Sequence, residues 1–465
     1  MAFWQNKIYP NLPIFAQNWS ITAYGYSWQK RRFGGIFSKE LKEAKEREAY
    51  SLQQWRDYQT VELRKLLVHA FDTVPFYREK YGKAGFKAED FRHFELEDLS
   101  KLPFLEKEEL RTYGRTSLLS KKPYKSGEFF ASSGSTGTPT SIYFTPHFHQ
   151  QWSALFEARI RHWAGVDRLH PRGMIGGRRV KPDANSNPPF HRYNAVEKQV
   201  YFSAYHISPN TVPFYVAAIQ QHKLKYMTGY AVSNFILAKM GLDANIAVPS
   251  LKAVITSSEK LTPEMRETFH RFYGCKSYDS YSGVEACGLI SENQDGELLV
   301  SPDAGIMELL DEAGKNISPG ETGEIVSTGL LNYDQPLIRY RIGDMAKLAN
   351  NQSTKSGINF PVIEEISGRV EDKVVGPDGR EMVRFHGLYI NLPGLVVAQL
   401  IQEKVDNFRF NLVVDGNYEI ANEGVILKRL QSQLGDVKAH FEYLSEIPKT
   451  QNGKFKAVIS KINQI

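Results

Sequence analysis

The stretch that decides the fold is Ser132-Ser133-Gly134-Ser135-Thr136-Gly137-Thr138-Pro139-Thr140, which carries no charge and no large side chain. It cannot pack into a core, but its glycines let backbone N–H groups approach an anion and its hydroxyls add donors. The flanking segments, Phe129-Phe130-Ala131 and Ser141-Ile142-Tyr143-Phe144, are typical of strands. A loop held between two strands predicts phosphate binding, with a flexible Ser/Gly linker as the alternative. The Gly-Lys-Ser/Thr ending of a P-loop NTPase is absent.

The composition indicates a globular protein of two or three domains. The chain has 465 residues, 42% of them hydrophobic, and a formal net charge of +6. Its densest basic run, Gln29-Lys30-Arg31-Arg32, is too short to indicate a nucleic-acid partner. Cys275 and Cys287 are too few for a disulfide framework or a cysteine-ligated metal site, which is typical of a reducing compartment.

The sequence predicts a cytoplasmic protein without a membrane span. No segment approaches the roughly 18 consecutive apolar residues of a span, and Met1–Lys7 lacks the apolar core of a signal peptide. Residues 12–28 are rich in aromatic side chains and place Phe15 and Trp19 on one helical face. We expect these two side chains to pack in the core, with peripheral membrane contact as the alternative.

Helical and strand-like patterns alternate over the first 367 residues, which predicts an α/β domain with mixed sheets flanked by helices. Residues 61–71 repeat leucines at helical spacing, and this helix should end before Val74-Pro75. Leu251–Thr256 reads as a buried strand, followed by the polar loop Ser257-Ser258-Glu259-Lys260 and a helix that begins near Thr262. In α/β proteins, ligands bind at such strand ends.

The pattern changes after residue 367. Alternation over 408–412, a helical repeat over 427–434 and further alternation over 437–443 predict a compact α+β unit. We therefore expect two domains, a large one over residues 1–367 and a small one over residues 368–465.

Four polar islands follow the 132–140 loop along the chain. They are Tyr281-Ser282-Gly283-Val284-Glu285, Arg339-Tyr340-Arg341-Ile342-Gly343-Asp344, Gly368-Arg369 with Glu371-Asp372, and Pro448-Lys449-Thr450-Gln451-Asn452-Gly453-Lys454. Each island alone is a weak signal. In this order and spacing the set resembles the adenylate-forming superfamily, which contains acyl-CoA synthetases, firefly luciferase and the adenylation domains of peptide synthetases. The closer resemblance is to the phenylacetate–CoA ligase and CapK-type branch, the latter known from capsule and polysaccharide gene clusters.

The resemblance implies a site for ATP and Mg²⁺. The phosphate loop, which would hold the β- and γ-phosphates, comprises Ser133, Gly134, Ser135, Thr136, Gly137 and Thr138. The other implied nucleotide contacts are Ser258 and Glu259 at the adenine edge, Tyr281 stacked on adenine, Asp344 on both ribose hydroxyls and Arg369 near ribose and phosphate. Ser282, next to Tyr281, is a further candidate for binding the nucleotide. Glu285 matches the carboxylate that helps to hold Mg²⁺.

The resemblance also implies the reaction. A carboxylic acid attacks the α-phosphorus of ATP, pyrophosphate leaves, and the resulting acyl-adenylate passes its acyl group to coenzyme A or to another thiol or amine. Lys454 matches the catalytic lysine, carried on a small domain that rotates about residues 369–372 between the two half-reactions. Within that hinge, Glu371 and Asp372 are both candidates for the pivot.

The resemblance defines the site of the acyl group less completely than the nucleotide site. The Tyr205-His206 pair matches the gate at the acyl entrance in this branch, and a histidine held by backbone groups is the alternative for His206. Further lining candidates are Tyr230, Arg178, Arg179 and Arg192. If these arginines point inward, the acid should carry extra negative or hydroxyl groups. If they point outward, an aromatic or fatty acid is expected.

Several positions depart from the pattern of the superfamily. Val284 stands where a hydroxyl is common, and the glycine-rich stretch after the hinge is altered at Gly376-Pro377-Asp378-Gly379 and Arg384-Phe385-His386-Gly387, so the use of coenzyme A stays open. Two other functions also stay open: transfer of AMP to a hydroxyl, and a non-catalytic scaffold for polysaccharide assembly. The sequence indicates neither the acid nor the oligomeric state.

Overall fold

The computed structural model describes residues 9–122, 126–131, 139–176, 180, 187–204, 206–258, 261–367, 374–382, 385–389, 392–414, 416–444, 447 and 458–462. The α-helices of these residues are α1 (Ile14–Phe33), α2 (Phe37–Arg47), α3 (Leu52–Thr73), α4 (Pro75–Lys83), α5 (Lys107–Tyr113), α6 (Pro146–Phe156), α7 (Val212–Gln221), α8 (Ala231–Asp243), α9 (Pro263–Tyr273), α10 (His386–Tyr389) and α11 (Ala421–Leu434). Short 3₁₀ turns span Tyr9–Asn11, Asp90–His93 and Leu96–Lys101, and a π-helical turn, Glu157–Arg161, extends α6.

The strands of the first 367 residues are β1 (Glu128–Ala131), β2 (Ser141–Phe144), β3 (Arg172–Gly176), β4 (His191–Asn194), β5 (Gln199–Ser203), β6 (Tyr226–Tyr230), β7 (Ala253–Ser257), β8 (Lys276–Tyr281), β9 (Ile290–Glu292), β10 (Leu298–Val300), β11 (Gly305–Leu310), β12 (Thr322–Gly329), β13 (Tyr340–Leu348) and β14 (Val362–Ser367). Those that follow are β15 (Val374–Val375), β16 (Glu381–Met382), β17 (Leu395–Lys404), β18 (Asn407–Val414), β19 (Lys438–Tyr443) and β20 (Val458–Ser460).

Twelve strands form one mixed sheet in the order β11-β12-β13-β14-β10-β9-β8-β7-β6-β3-β5-β4. Its central strands β8, β7, β6, β3 and β5 are parallel neighbours, and the strands on either side are antiparallel. The carboxyl ends of the parallel strands therefore meet at one edge, where α/β proteins bind ligands. β1 and β2 form a separate hairpin around the 132–140 loop. The predicted α/β class with helices around a mixed sheet is confirmed.

Helices cover both faces of the parallel strands. On one face, Val200, Met227 and Val254 pack with residues of α7, α8 and α9. On the other, strand residues pack with Ala44 of α2 and Leu155 of α6; these are Tyr226, Ala253, Ile255 and Tyr278. We call this second side the α6 face. Parallel strands need cover on both sides, which explains their continuous apolar character.

Helix α3 forms where the leucine repeat predicts it. Leu63, Leu66 and Leu67 are buried in the core beneath it. Ser51 begins the helix with a capping box, because its hydroxyl accepts from the N–H of Gln54 and the Gln54 side chain accepts from the N–H of Ser51. The helix ends at Thr73, since Pro75 disfavours a helical conformation at Val74.

The expectation that Phe15 and Trp19 pack in the core is wrong. Their side chains are 69% and 74% exposed on the outer face of α1. The inner face of this helix is polar because it covers β4, the edge strand of the sheet. Asn18 and Thr22 accept hydrogen bonds from the backbone N–H groups of β4 and the residue after it, at 3.0 and 3.2 Å. The helix thus satisfies an edge that would otherwise be open to another strand.

The C-terminal strands form their own sheet, in the order β19-β18-β17-β20, with α11 packed on it. Ile426, Leu430 and Leu434 of α11 are buried with Phe408 and Phe410 of β18. This confirms the strands and the helix that the sequence predicts here. The hinge lies outside the described residues, so the boundary at 367/368 stays a prediction. None of the described helices is both long enough and apolar enough to span a membrane.

Candidate active site

Three predicted site residues lie where parallel strands end. β6 ends at Tyr230 and β7 at Ser257, and these two residues are paired in register. Ser258, the next residue, has a backbone φ of +73°. A non-glycine residue in this left-handed region is uncommon and clusters at functional sites. β8 ends beside them at Tyr281, so the adenine-site candidates share one edge of the sheet.

Tyr281 and Asp344 are in direct contact. The hydroxyl of Tyr281 donates to Oδ2 of Asp344 at 2.8 Å, across 63 positions of sequence. Burial, and then the charge of Asp344, raise the pKa of Tyr281 well above its usual value, so the phenol stays a protonated donor. Ser282 follows Tyr281 and is half-buried. The two residues that the resemblance assigns to adenine and ribose therefore belong to one site.

Glu285 contacts the end of the phosphate-loop stretch. The hydroxyl of Thr140 donates to Oε1 of Glu285 at 3.1 Å, and both side chains are buried. A Cβ at Gly283 would lie 2.4 Å from Oε2 of Glu285, so a side chain at position 283 would displace this carboxylate. The sequence placed both residues near the nucleotide but did not pair them, because the contact spans 145 positions.

The residues around Glu285 suit Mg²⁺ bound mainly through phosphate. Among the described residues there is no group of three or more His, Cys, Asp or Glu side chains that could enclose a metal ion. Mg²⁺ commonly binds through one or two carboxylates together with substrate phosphates, rather than in an all-protein cage. A single buried carboxylate beside a phosphate-binding stretch agrees with that mode.

His206 is held by the protein. Its Nδ1 lies 2.6 Å from Oγ of Ser203, and its ring stacks on Phe190 with 5.3 Å between centroids. The side chain is buried. These contacts favour the structural account of His206 over a mobile gate.

Two other substrate candidates have different surroundings. The guanidinium of Arg192 donates to Oε1 of Gln17 and to the carbonyls of Pro189 and His191, so it ties α1 to β4 and favours a structural role. Tyr230 is half-buried at the end of β6, where its carbonyl accepts from Asn234 at 2.8 Å. Its position at the strand end keeps it in the candidate site.

The remaining candidates lie outside the described residues, and their roles stay predictions. They are Ser133, Gly134, Ser135, Thr136, Gly137, Thr138, Arg178, Arg179, Tyr205, Glu259, Arg369, Glu371, Asp372 and Lys454.

A cavity of about 270 Å³ on the α6 face was not predicted. Its lining includes Arg32, Arg161 and Arg172, which come from α1, the π-helical turn and β3. No local motif joins these residues, so sequence patterns alone gave no signal for the cavity.

Comparisons with known proteins agree with this geometry. The model of the CapK C-terminal domain matches residues 379–461. Protein CapK of Staphylococcus aureus is 25% identical over 98% of this chain and 99% of its own length. Phenylacetate-coenzyme A ligase of Escherichia coli is 25% identical over 70% of this chain and 74% of its own length. A solved structure of 2-hydroxyisobutyryl-CoA ligase with 2-HIB-AMP and CoA has the same fold, with a TM-score of 0.59 and 19% identity over 89% of this chain and 91% of that one.

These similarities confirm the resemblance to the adenylate-forming superfamily and support the prediction of an AMP-forming ligase. They also confirm the closer resemblance to CapK and the phenylacetate–CoA ligases.

Proposed function

We propose that the protein joins a carboxylic acid to the AMP moiety of ATP, releases pyrophosphate, and passes the acyl group to coenzyme A. The observation that carries this proposal is the convergence at the end of β8, where Tyr281 contacts Asp344 and Glu285 contacts Thr140. The synthesis of an acyl-adenylate needs residues that bind adenine and ribose. It also needs a metal-binding carboxylate beside a phosphate loop.

The first half-reaction breaks the bond between the α-phosphorus and the oxygen that bridges to the β-phosphorus. An oxygen of the acid forms the new bond, and pyrophosphate is the leaving group. No general base is required, because a carboxylate is already ionised at neutral pH. The main obstacle is repulsion between two anions, which fixed positive charge relieves.

Specific residues orient the nucleotide. Tyr281 stacks on the adenine, and Asp344 accepts from the ribose hydroxyls. A carboxylate has about four lone-pair positions, so the bond from Tyr281 is compatible with further acceptance from ribose. Glu285 would hold Mg²⁺, which neutralises phosphate charge when bound. Lys454 supplies a further cation as pyrophosphate departs.

The second half-reaction requires the small domain to present a different surface to the acyl-adenylate. We propose that residues 368–465 rotate about positions 369–372 between the two steps, as hinged domains do around ligands. Thiolysis then transfers the acyl group to the sulfur of coenzyme A and releases AMP. We also propose a role in capsule or polysaccharide synthesis, which rests on the name of the relative in Staphylococcus aureus. The proposed cytoplasmic setting rests on the low cysteine content, which is typical of a reducing compartment.

The test is exchange of labelled pyrophosphate into ATP, measured with and without added acids. A screen over aromatic, fatty, amino and uronic acids should find at least one acid on which exchange depends. Exchange or AMP transfer that depends on an alcohol and on no acid would overturn acid activation. Coenzyme A should then convert the bound acyl-adenylate into a thioester, detected as free AMP with loss of the free thiol.

A further inference from the structure

The 270 Å³ cavity lies on the α6 face of β3, β5 and β6, parallel strands of the sheet whose carboxyl edge carries the candidate site. Its floor includes Met174, Tyr201 and Thr228, which are cross-strand partners on β3, β5 and β6. Thr228 precedes Tyr230 by two positions on the same face of β6, a distance of roughly 7 Å along a strand. A small acid whose carboxylate lies at the strand ends would therefore reach this cavity with its far end.

The walls of the cavity are aromatic. Trp28 and Phe33 of α1 face Trp152 and Phe156 of α6. Cavities of this size are at the small end of the range for ligand sites. The walls suit a ring or a short chain rather than a long fatty acid.

The charges beside these walls do not balance. Arg32 is paired with Glu197, and Nη1 of Arg161 lies 2.6 Å from Oε2 of Glu157. Arg172 has no carboxylate of its own among the described ion pairs, since its nearest is the same Glu197 at 3.8 Å. Three guanidinium groups thus face two carboxylates, which leaves one positive charge in excess.

The local pKa shifts agree with an excess of positive charge. Burial lowers the pKa of Arg32 to about 10, Arg161 and Arg172 lower it further, and Glu197 opposes them. Burial also lowers the pKa of His149, another lining residue, to about 3, and Arg32 and Arg31 contribute to that shift. His149 is therefore neutral at pH 7 and adds no charge.

One lining side chain also lacks a hydrogen-bond partner. His149 is only 8% exposed, and in the described part of the chain its Nδ1 bonds to nothing. The Nε of Arg32 is buried without a partner as well. Buried polar atoms are nearly always satisfied, and a polar group of a ligand that shifted these side chains slightly would satisfy both atoms.

We propose that this cavity holds the far end of the acid and selects acids that carry a second negatively charged group there. The proposal rests on the acid-activating function proposed above and narrows its substrate to small dianionic acids with a ring or short chain. A second anion would neutralise the excess charge and supply acceptors for Arg32. A neutral apolar end would leave a buried cation uncompensated, which is costly.

The test compares matched acids that differ only at the far end. Phenylacetate, cyclohexanecarboxylate and hexanoate are each compared with the analogue that bears a second carboxylate at that end. Acid affinity is measured by calorimetry in the presence of AMP, and acid-dependent pyrophosphate exchange is measured in parallel. For at least one pair we expect the dianionic acid to bind at least about tenfold more tightly. Equal affinity within every pair would overturn the proposal.

Variants then assign the preference to the cavity. R32Q removes the excess charge, while Glu197 keeps contacts with Arg172 and Asn194. We expect the preference for the dianionic acid, measured as the ratio of the two affinities, to fall at least about tenfold in R32Q. The double variant R32Q/E197Q restores the excess of one positive charge and should recover part of this preference. R56Q makes the same charge change at an exposed ion pair and should leave the preference unchanged. An unchanged preference in R32Q would refute the assignment.

The two proposals can fail separately. If dianionic acids bind with Arg32-dependent preference but no acid supports exchange, the proposed function is wrong and the cavity assignment stands. If several acids support exchange without any preference for a second charge, the function stands and the cavity assignment is wrong.

Discussion

Asp303 and Glu285 are both buried carboxylates, but their charges are compensated differently. Oδ2 of Asp303 accepts from Nε of Arg47 at 3.0 Å and from a terminal nitrogen of Arg159 at 3.1 Å. Oε1 of Glu285 accepts from a neutral hydroxyl, that of Thr140, and the described residues give Glu285 no ion pair. A buried charge is normally paired or bound to a metal. The difference therefore separates a structural centre from the carboxylate that we propose binds Mg²⁺.

The surroundings of Asp303 confirm its structural character. Arg159 is fully buried, pairs with Glu48 and donates to the carbonyl of Ala44 at 2.7 Å. Arg47 and Ala44 belong to α2, and Arg159 belongs to the π-helical turn after α6. The network joins these elements to the segment before β11.

The largest effect is expected for D303A. Removing the carboxylate leaves Arg47 and Arg159 buried beside each other, with only their outer partners Glu43 and Glu48 to compensate them. The protein should therefore lose about 3–5 kcal/mol of its free energy of unfolding. Denaturant titration followed by circular dichroism measures the loss.

The control for D303A is E79A, which breaks an exposed pair with Lys83. Its denaturation midpoint should match that of the unmodified protein, since exposed ion pairs contribute little. If the D303A protein were as stable as the E79A protein, Asp303 would not be a structural centre.

The next largest effect is expected for K454A, which removes the positive charge proposed to act beside the Glu285 site. We expect K454A to slow acyl-adenylate formation by at least about 10²-fold, because one preorganised charge is lost from the transition state. Single-turnover measurement of pyrophosphate release tests this, with K461A as a control on the same unit. The unfolding midpoint should not change. Undiminished pyrophosphate release in K454A would exclude the lysine from the first half-reaction.

A smaller effect is expected for E285Q. The amide oxygen of glutamine can still accept from Thr140, so folding should be unaffected while the negative charge disappears. We expect the Mg²⁺ concentration for half-maximal pyrophosphate exchange to rise about tenfold. E324Q, which alters a carboxylate paired with Arg341, should leave the Mg²⁺ dependence unchanged. If both variants behave alike, Glu285 does not hold the metal.

Sequence patterns predicted those parts of the fold that depend on local preferences. The leucine spacing gave α3, and Thr262 with Pro263 gave the start of α9, since a cap and a first-turn proline act within a few residues. The order of the polar islands indicated the resemblance to the superfamily. That resemblance assigned Tyr281 and Asp344 to the same nucleotide site.

Sequence patterns did not predict the burial or contacts of a residue where these depend on residues far away in the chain. α1 turns Asn18 and Thr22 inward because it meets the backbone of an edge strand, and this leaves Phe15 and Trp19 outside. Aromatic periodicity identifies a face of a helix but not what covers it. The contact of Thr140 with Glu285 was missed for the same reason, because neither residue carries a local signal of the other.

The smallest effect is expected for Y281F. This substitution keeps the aromatic ring for adenine but removes the hydroxyl that donates to Asp344, a loss of about 1 kcal/mol for one hydrogen bond. The affinity for AMP should fall only a few-fold, as measured by calorimetry. Because the raised pKa of Tyr281 keeps the phenol protonated, the ratio between the two proteins should stay constant from pH 6 to about pH 9. Y281A, which also loses the ring, should bind far more weakly, and equal affinities of Y281F and Y281A would show that adenine does not stack there.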